Sequence, residues 1–170
     1  MPSMKMSRTG KWNDFLRLPL TLAAVGDIAG SELRKAGQEY IDMLVQAVES
    51  QSEPWRSLSD SWEQYKAANN LDPRIWIATG QFLDALQNAT VKRAGKDYLA
   101  GLYVDRTHDT PHSGTELAMS QLAIYLEFGS ADGSRPPRPL FRPVAYQWEE
   151  KFRKNFVVRL WKEVNIKLPW

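Results

Sequence analysis

Four prolines fall within eight residues, Pro136, Pro137, Pro139 and Pro143 of "SRPPRPLFRP". Proline fixes φ near −65° and drives the residue before it out of the helical region. The segment from Arg135 to Arg142 is therefore neither helix interior nor central strand; it is a stiff, extended piece whose shape is largely set before it touches anything. Gly129 and Gly133 just upstream permit positive φ and let the chain reverse after Phe128. Leu140 and Phe141 sit inside this rigid segment, and each is worth about 1.5–3 kcal/mol when fully buried. They have two destinations: beneath the last helix, or a pocket on another subunit. Arg135, Arg138 and Arg142 carry planar five-donor forks suited to carboxylates. Glu127 is embedded in apolar sequence and reads as one half of a structural or intersubunit ion pair with one of them.

Before this segment the chain alternates helical and extended signals. Residues 1–30 mix Trp12, Phe15 and Leu16 with Pro19, Gly26 and Gly30, and read as an irregular arm or lead-in that turns helical near Leu20. Ser31 is placed to cap an amphipathic helix to about Ser50, with Leu33, Ala36, Tyr40, Ile41, Leu44 and Val48 on one stripe. Ser59 starts a short helix through Ala68, which "NNLDP" stops. "RIWIATG" is a brief apolar run, and Thr79 caps a further turn or two carrying Phe82, Leu83 and Leu86. "TVKRAGKDYLAGLYVDRT" reads as two extended segments about a turn at "RAGKD". "ELAMSQLAIYLEFG" is compatible with a helix. From Pro143, a first-turn residue, Val144, Trp148, Phe152, Phe156, Leu160 and Val164 recur every four positions. That stripe winds round a helix of 3.6 residues per turn. The order predicts an α+β fold: a small antiparallel sheet packed with an N-terminal amphipathic helix and a long C-terminal helix. Residues 31–170 form one domain, from which an arm at about 129–142 protrudes.

The 170 residues suit one domain, and 43% hydrophobic with 25% charged content is that of a folded chain. No apolar run is long enough to span a bilayer, and the first fifteen residues lack the apolar core of a secretory signal. Cysteine is absent, which removes disulfides and thiolate chemistry. His108 and His112 flank Asp109, but Pro111 prevents the helix that would bring them together, so the loop predicts no metal site. No Gly-x-Ser-x-Gly elbow, phosphate loop or dinucleotide fingerprint occurs. The sequence thus predicts neither enzyme nor cofactor. Charge is uneven: from Arg135 onward nine Lys or Arg face three Glu, a net of +6 within a chain whose total is +2. Such asymmetry suits docking to an acidic partner or to phosphates.

"AIYLEFGSADGSRPPRPLFRPVAYQWEEKF" resembles the signature of the tail-completion, or head–tail connector (neck), family of tailed bacteriophages. That family shows an apolar stretch, Glu-Phe-Gly-Thr, a variable loop, then Arg-Pro-Phe-Leu-Arg-Pro-Ala entering a C-terminal helix. Here Glu127, Phe128 and Gly129 match the first part, with Ser130 replacing threonine. Arg138 to Val144 match the second, with Leu140 and Phe141 in exchanged order. "PWRSLSDSWEQYKAANNLDPRIWIATGQFLDAL" is similar to a segment of the related virion-morphogenesis proteins of Mu-like phages. The likeness covers roughly residues 31–160 and leaves out the first thirty residues and "NIKLPW".

The resemblance implies a non-enzymatic virion protein assembled in the host cytoplasm as a ring, commonly of six copies. Its implied place is the head–tail junction, between a portal-side connector or adaptor and the tail tube or tail terminator. It implies that the arm grips a neighbour, with Leu140 or Phe141 inserted and Glu127, Phe128, Arg135, Arg138 and Arg142 at the contact. Contact with packaged DNA through the lumen would be non-specific. The alternatives are a tail terminator or minor head or tail protein at another position, or a nucleic-acid-binding domain using Trp148, Phe152, Phe156 and Trp161 among the basic residues.

Overall fold

Helix α1 spans Trp12–Ser50, far longer than its breakers suggest. The structure, a computed structural model, describes residues 12–95, 97–101, 107–109 and 116–167. Pro19, Gly26 and Gly30 all lie inside α1, and so does Ser31, which therefore caps nothing. The expected lead-in is corrected accordingly: residues 12–30 are helical, and residues 1–11 lie outside the described ones. Packing outweighs local propensity here. Ile28 and Glu32 are buried and continue, at four-residue spacing, the stripe that runs on through Ala36. The covering element is α5, Phe141–Lys167.

The two long helices run antiparallel. Tyr40 Oη donates to the carbonyl of Phe141 at 3.2 Å, and Trp148 Nε1 to that of Ala36 at 2.8 Å. Further along, Glu32 shares a shallow crevice with Phe156. The four-residue repeat of α5 forms an aromatic row on this side: Trp148 stacks on Phe152 at 4.9 Å, and Phe152 meets Phe156 at 4.7 Å.

Between the long helices lie α2 (Asp60–Ala68), α3 (Gln81–Gln87) and α4 (Met119–Phe128). The core gathers where α1 ends and α5 begins: Leu44 and Val48 with Trp76, Ile77, Phe82, Leu86, Met119, Leu140 and Val144. Helix α2 is tied to it by one charge. Lys66, 3% exposed, donates from Nζ to the carbonyls of Asp72 (2.7 Å), Arg74 (2.7 Å) and Ile77 (2.5 Å). Three acceptors satisfy all three ammonium donors. Burial lowers the lysine's pKa, Asp72 opposes that, and Arg138 adds to it. The apolar run "RIWIATG" is thereby wound into turns around an ammonium, with Trp76 at φ 65°. A left-handed conformation at so bulky a residue is strained by about 1–3 kcal/mol.

The fold is α-rich, and the expected α+β layer, a sheet packed between helices, is corrected. Strand β1 (Thr90–Ala94) pairs antiparallel with β2 (Asp97–Gly101), in register Val91 to Ala100. Strands β3 (Thr107–Asp109) and β4 (Glu116–Ala118) form a separate pair. Among the described residues no ladder exceeds two strands. Four of the five β1 residues are exposed, so this hairpin contributes no core layer. Its alternating pattern forms a ribbon, while the helices supply the interior.

Candidate functional site

The proline segment does not protrude. It is folded onto the body of its own chain, and Glu127 is what holds it. Helix α4 carries Glu127 into the interior at 3% exposure. There its carboxylate accepts from the backbone N–H of Leu140 (2.6 Å), Phe141 (3.0 Å) and Arg142 (3.1 Å), and from Arg142 Nε at 3.2 Å. These N–H groups belong to the first turn of α5, which has no helical acceptors and carries the positive end of the dipole. Pro143, next in line, has no N–H to satisfy. The opening turn of α5 is thus capped by a side chain thirteen residues upstream.

Gly129 makes the reversal possible. It ends α4 at φ 75°, with its N–H bonded to the Tyr125 carbonyl at 2.9 Å. A Cβ there would meet the Arg135 carbonyl oxygen at 2.6 Å and Pro137 N at 2.9 Å. The loop then closes on itself: Ser130 N bonds the Arg135 carbonyl, Arg135 N bonds Ser130 Oγ, and Asp132 accepts from the Ser130 and Ser134 hydroxyls. Those hydroxyls, with the Ser134 amide, hold the Asp132 carboxyl down at about 2.

Carbonyls of a proline-rich segment cannot be used in regular ladders, so other donors must reach them. Trp55 Nε1 donates to the Pro139 carbonyl at 2.6 Å and Trp76 Nε1 to that of Arg138 at 3.0 Å. Arg138 N completes the clamp on the Leu126 carbonyl at 2.7 Å. The Arg138 guanidinium bonds the carbonyls of Arg56 and Ser57, both at 3.0 Å. Burial and then the Arg56 charge lower its pKa.

The expected contact residues therefore divide. Glu127, Leu140 and Arg138 face their own chain, and Leu140, at 0% exposure, is core rather than the tip of an arm. Phe141 is half-buried against Trp76, ring centroids 5.9 Å apart. Phe128, Arg135 and Arg142 face outward. The Arg142 guanidinium lies 4.8 Å from the Phe128 ring, whose neighbours on α4, Ile124 and Tyr125, are also exposed. The Glu127 pair falls to Arg142. Trp55 and Trp76 were not singled out by sequence reasoning. The available signal was the coincidence of two indole donors with a segment full of spare carbonyls.

Trp148, Phe152 and Phe156 lie in the row along α1, and Trp161 is the exposed aromatic of the four considered for base stacking. Among the described residues no group of three or more His, Cys, Asp or Glu could hold a metal ion. His108 lies in β3, while His112 falls outside the described residues. No described helix is long and apolar enough to cross a membrane.

Tyr40, bonded at the start of α5, has its pKa raised to about 12, first by burial and then by the Glu127 charge. A folded-state pKa above the ordinary 10.0 means that this stabilisation is complete below pH 10 and is lost as pH rises through about 12. Chemical denaturation across that window should therefore show the wild type losing stability faster than Tyr40→Phe. Parallel curves for the two proteins would contradict this. Comparisons with family models, with curated proteins and with solved structures find no match to this chain.

Proposed function

We propose that the protein is a structural, non-enzymatic subunit of a tailed-phage virion, assembling as a closed ring at the head–tail junction. The observation that carries this reading is the way the two family-like motifs meet. "LEFG" supplies the carboxylate and the reversing glycine, and "RPLFRPV" supplies the three N–H groups that the carboxylate caps. The residues that carry the resemblance thus form one interlocked unit, and they hold Ile124, Tyr125 and Phe128 outward beside Arg142. An exposed apolar cluster flanked by a guanidinium, mounted on a rigid turn, suits a protein–protein contact.

In this reading the segment works as the rigid base of a contact surface rather than as an inserted arm. Its partners would be further copies of the chain, a portal-side connector or adaptor, and the tail tube or terminator. A ring of identical subunits uses a heterologous interface that closes. Contact of such a ring with DNA passing through it would be non-specific.

The test is native mass spectrometry of the purified full chain together with electron cryomicroscopy of particles that contain it. The expected result is one closed oligomer, six copies being the resemblance's implication, and density for it at the neck. A chain that stays monomeric at high micromolar concentration and is absent from the neck would overturn the proposal.

A further inference from the structure

Beyond Trp148, one side of α5 is covered by α1 and the other is bare. Val157 is 56% exposed, Val158 68% and Trp161 58%. Spacings of three and four residues put Trp161 beside both valines on one face. Lys154 and Lys162 flank them, also exposed. Lys154 pairs with Glu150 at 2.7 Å, but both partners are well exposed, so the pair holds the lysine only weakly. This second half of α5 presents an apolar centre with a basic border.

Helix α2 presents the chemical opposite. Its lysine is turned inward and consumed by three carbonyls, while Asp60 and Glu63 are exposed. Between these carboxylates lies Trp62, stacked on Tyr65 at 5.1 Å and 10°. The exposed side of α2 is thus acidic with an aromatic centre.

Within one molecule the two faces are held apart. The segment leading into α2 is fixed near the start of α5, by Arg138 Nη2 to the Ser57 carbonyl (3.0 Å) and Gln147 Nε2 to Glu53 Oε1 (3.3 Å). Val157 to Trp161 lie about 15–21 Å further along the helix, at a rise of about 1.5 Å per residue. We infer that the Val157–Trp161 face of one copy docks on α2 of a second copy, head to tail, with Lys154 and Lys162 facing Asp60 and Glu63. This deepens the ring reading and rests on it. Opposite charges at the border set register and select against self-pairing of two basic faces.

Charge reversal tests the docking, since all four residues are exposed and their substitution leaves the core intact. The variants are Asp60→Lys with Glu63→Lys, Lys154→Glu with Lys162→Glu, and all four in one chain. Circular dichroism melts check that each variant folds. The dissociation concentration of the oligomer is read by sedimentation, and duplex DNA binding is read on the same samples. We expect each double reversal to weaken assembly at least tenfold and the quadruple variant to recover most of the loss. Trp161→Ser should weaken assembly without recovery. A wild-type oligomer indifferent to all these changes would overturn this docking while leaving the ring intact. A monomeric wild type would overturn the ring reading and the docking with it. Unchanged assembly with lost DNA binding in the Lys154→Glu, Lys162→Glu variant would assign the α5 face to phosphates and likewise overturn the proposal.

Discussion

Glu127→Ala is expected to lose about 3–5 kcal/mol of stability, the cost of removing one partner from a buried charge-assisted network. Truncation removes the acceptor for three N–H groups of the α5 first turn and the counter-charge of Arg142. An unsatisfied buried donor costs about 1–3 kcal/mol by itself, so the range is reached even after partial relaxation. Against a total of about 5–15 kcal/mol for a typical domain, the loss takes a large share of the fold. Urea denaturation should show a lower midpoint with an unchanged slope. Glu127→Gln, which keeps one carbonyl oxygen for Leu140 and Phe141, should recover part of it. An unchanged midpoint in Glu127→Ala, combined with failure of assembly, would instead place the carboxylate in a contact between subunits.

Leu140→Ala separates the folded-back segment from a protruding one more sharply. Leu140 is fully enclosed by the cluster that contains Val48, Trp76 and Val144. Its truncation should cost about 2–5 kcal/mol, transfer and cavity effects combined. Phe128→Ala, two residues before the loop and 59% exposed, should lose only about 0.5–1 kcal/mol, much of it from the contact with the Arg142 guanidinium. The expected pattern is a severely destabilised Leu140→Ala and a near-native Phe128→Ala that assembles poorly. The reverse pattern, a stable Leu140→Ala that no longer assembles, would restore the inserted-arm picture.

Periodicity and caps located much of this architecture. The helix beginning after Ser59, the two strands flanking "RAGKD" and the start of the last helix around Pro143 all lie close to where their signals put them. Ser59 precedes its helix without capping it; its hydroxyl pairs with that of Ser61 instead. The first thirty residues misled because Pro19, Gly26 and Gly30 are local breakers, whereas the burial that keeps Ile28 helical comes from elsewhere in the chain. "RIWIATG" misled because its organiser is Lys66, a charge that composition assigns to the surface.

The proline segment was legible in its stiffness but not in its direction. Rigidity is a property of φ, and φ is local. Whether Leu140 points to a neighbour or to its own core depends on Trp55, Trp76 and Glu127, and no periodicity links those positions to it. Of the two destinations that the sequence left open, the interior takes Leu140. Among the residues expected at a contact, only those at the rim of the folded unit, Phe128, Arg135 and Arg142, retain a surface to offer.

The marriage of first helix to last also governs how this polypeptide is made. While the ribosome is still extending it, Ile41, Leu44 and Val48 lack the closing half of their shelter, which arrives only with the final thirty residues. At bacterial elongation rates of about 5–20 residues per second, that exposure lasts on the order of 5–25 seconds. A chaperone that shields apolar helices should therefore engage nascent chains ending before Phe141 and release those that extend through Lys167.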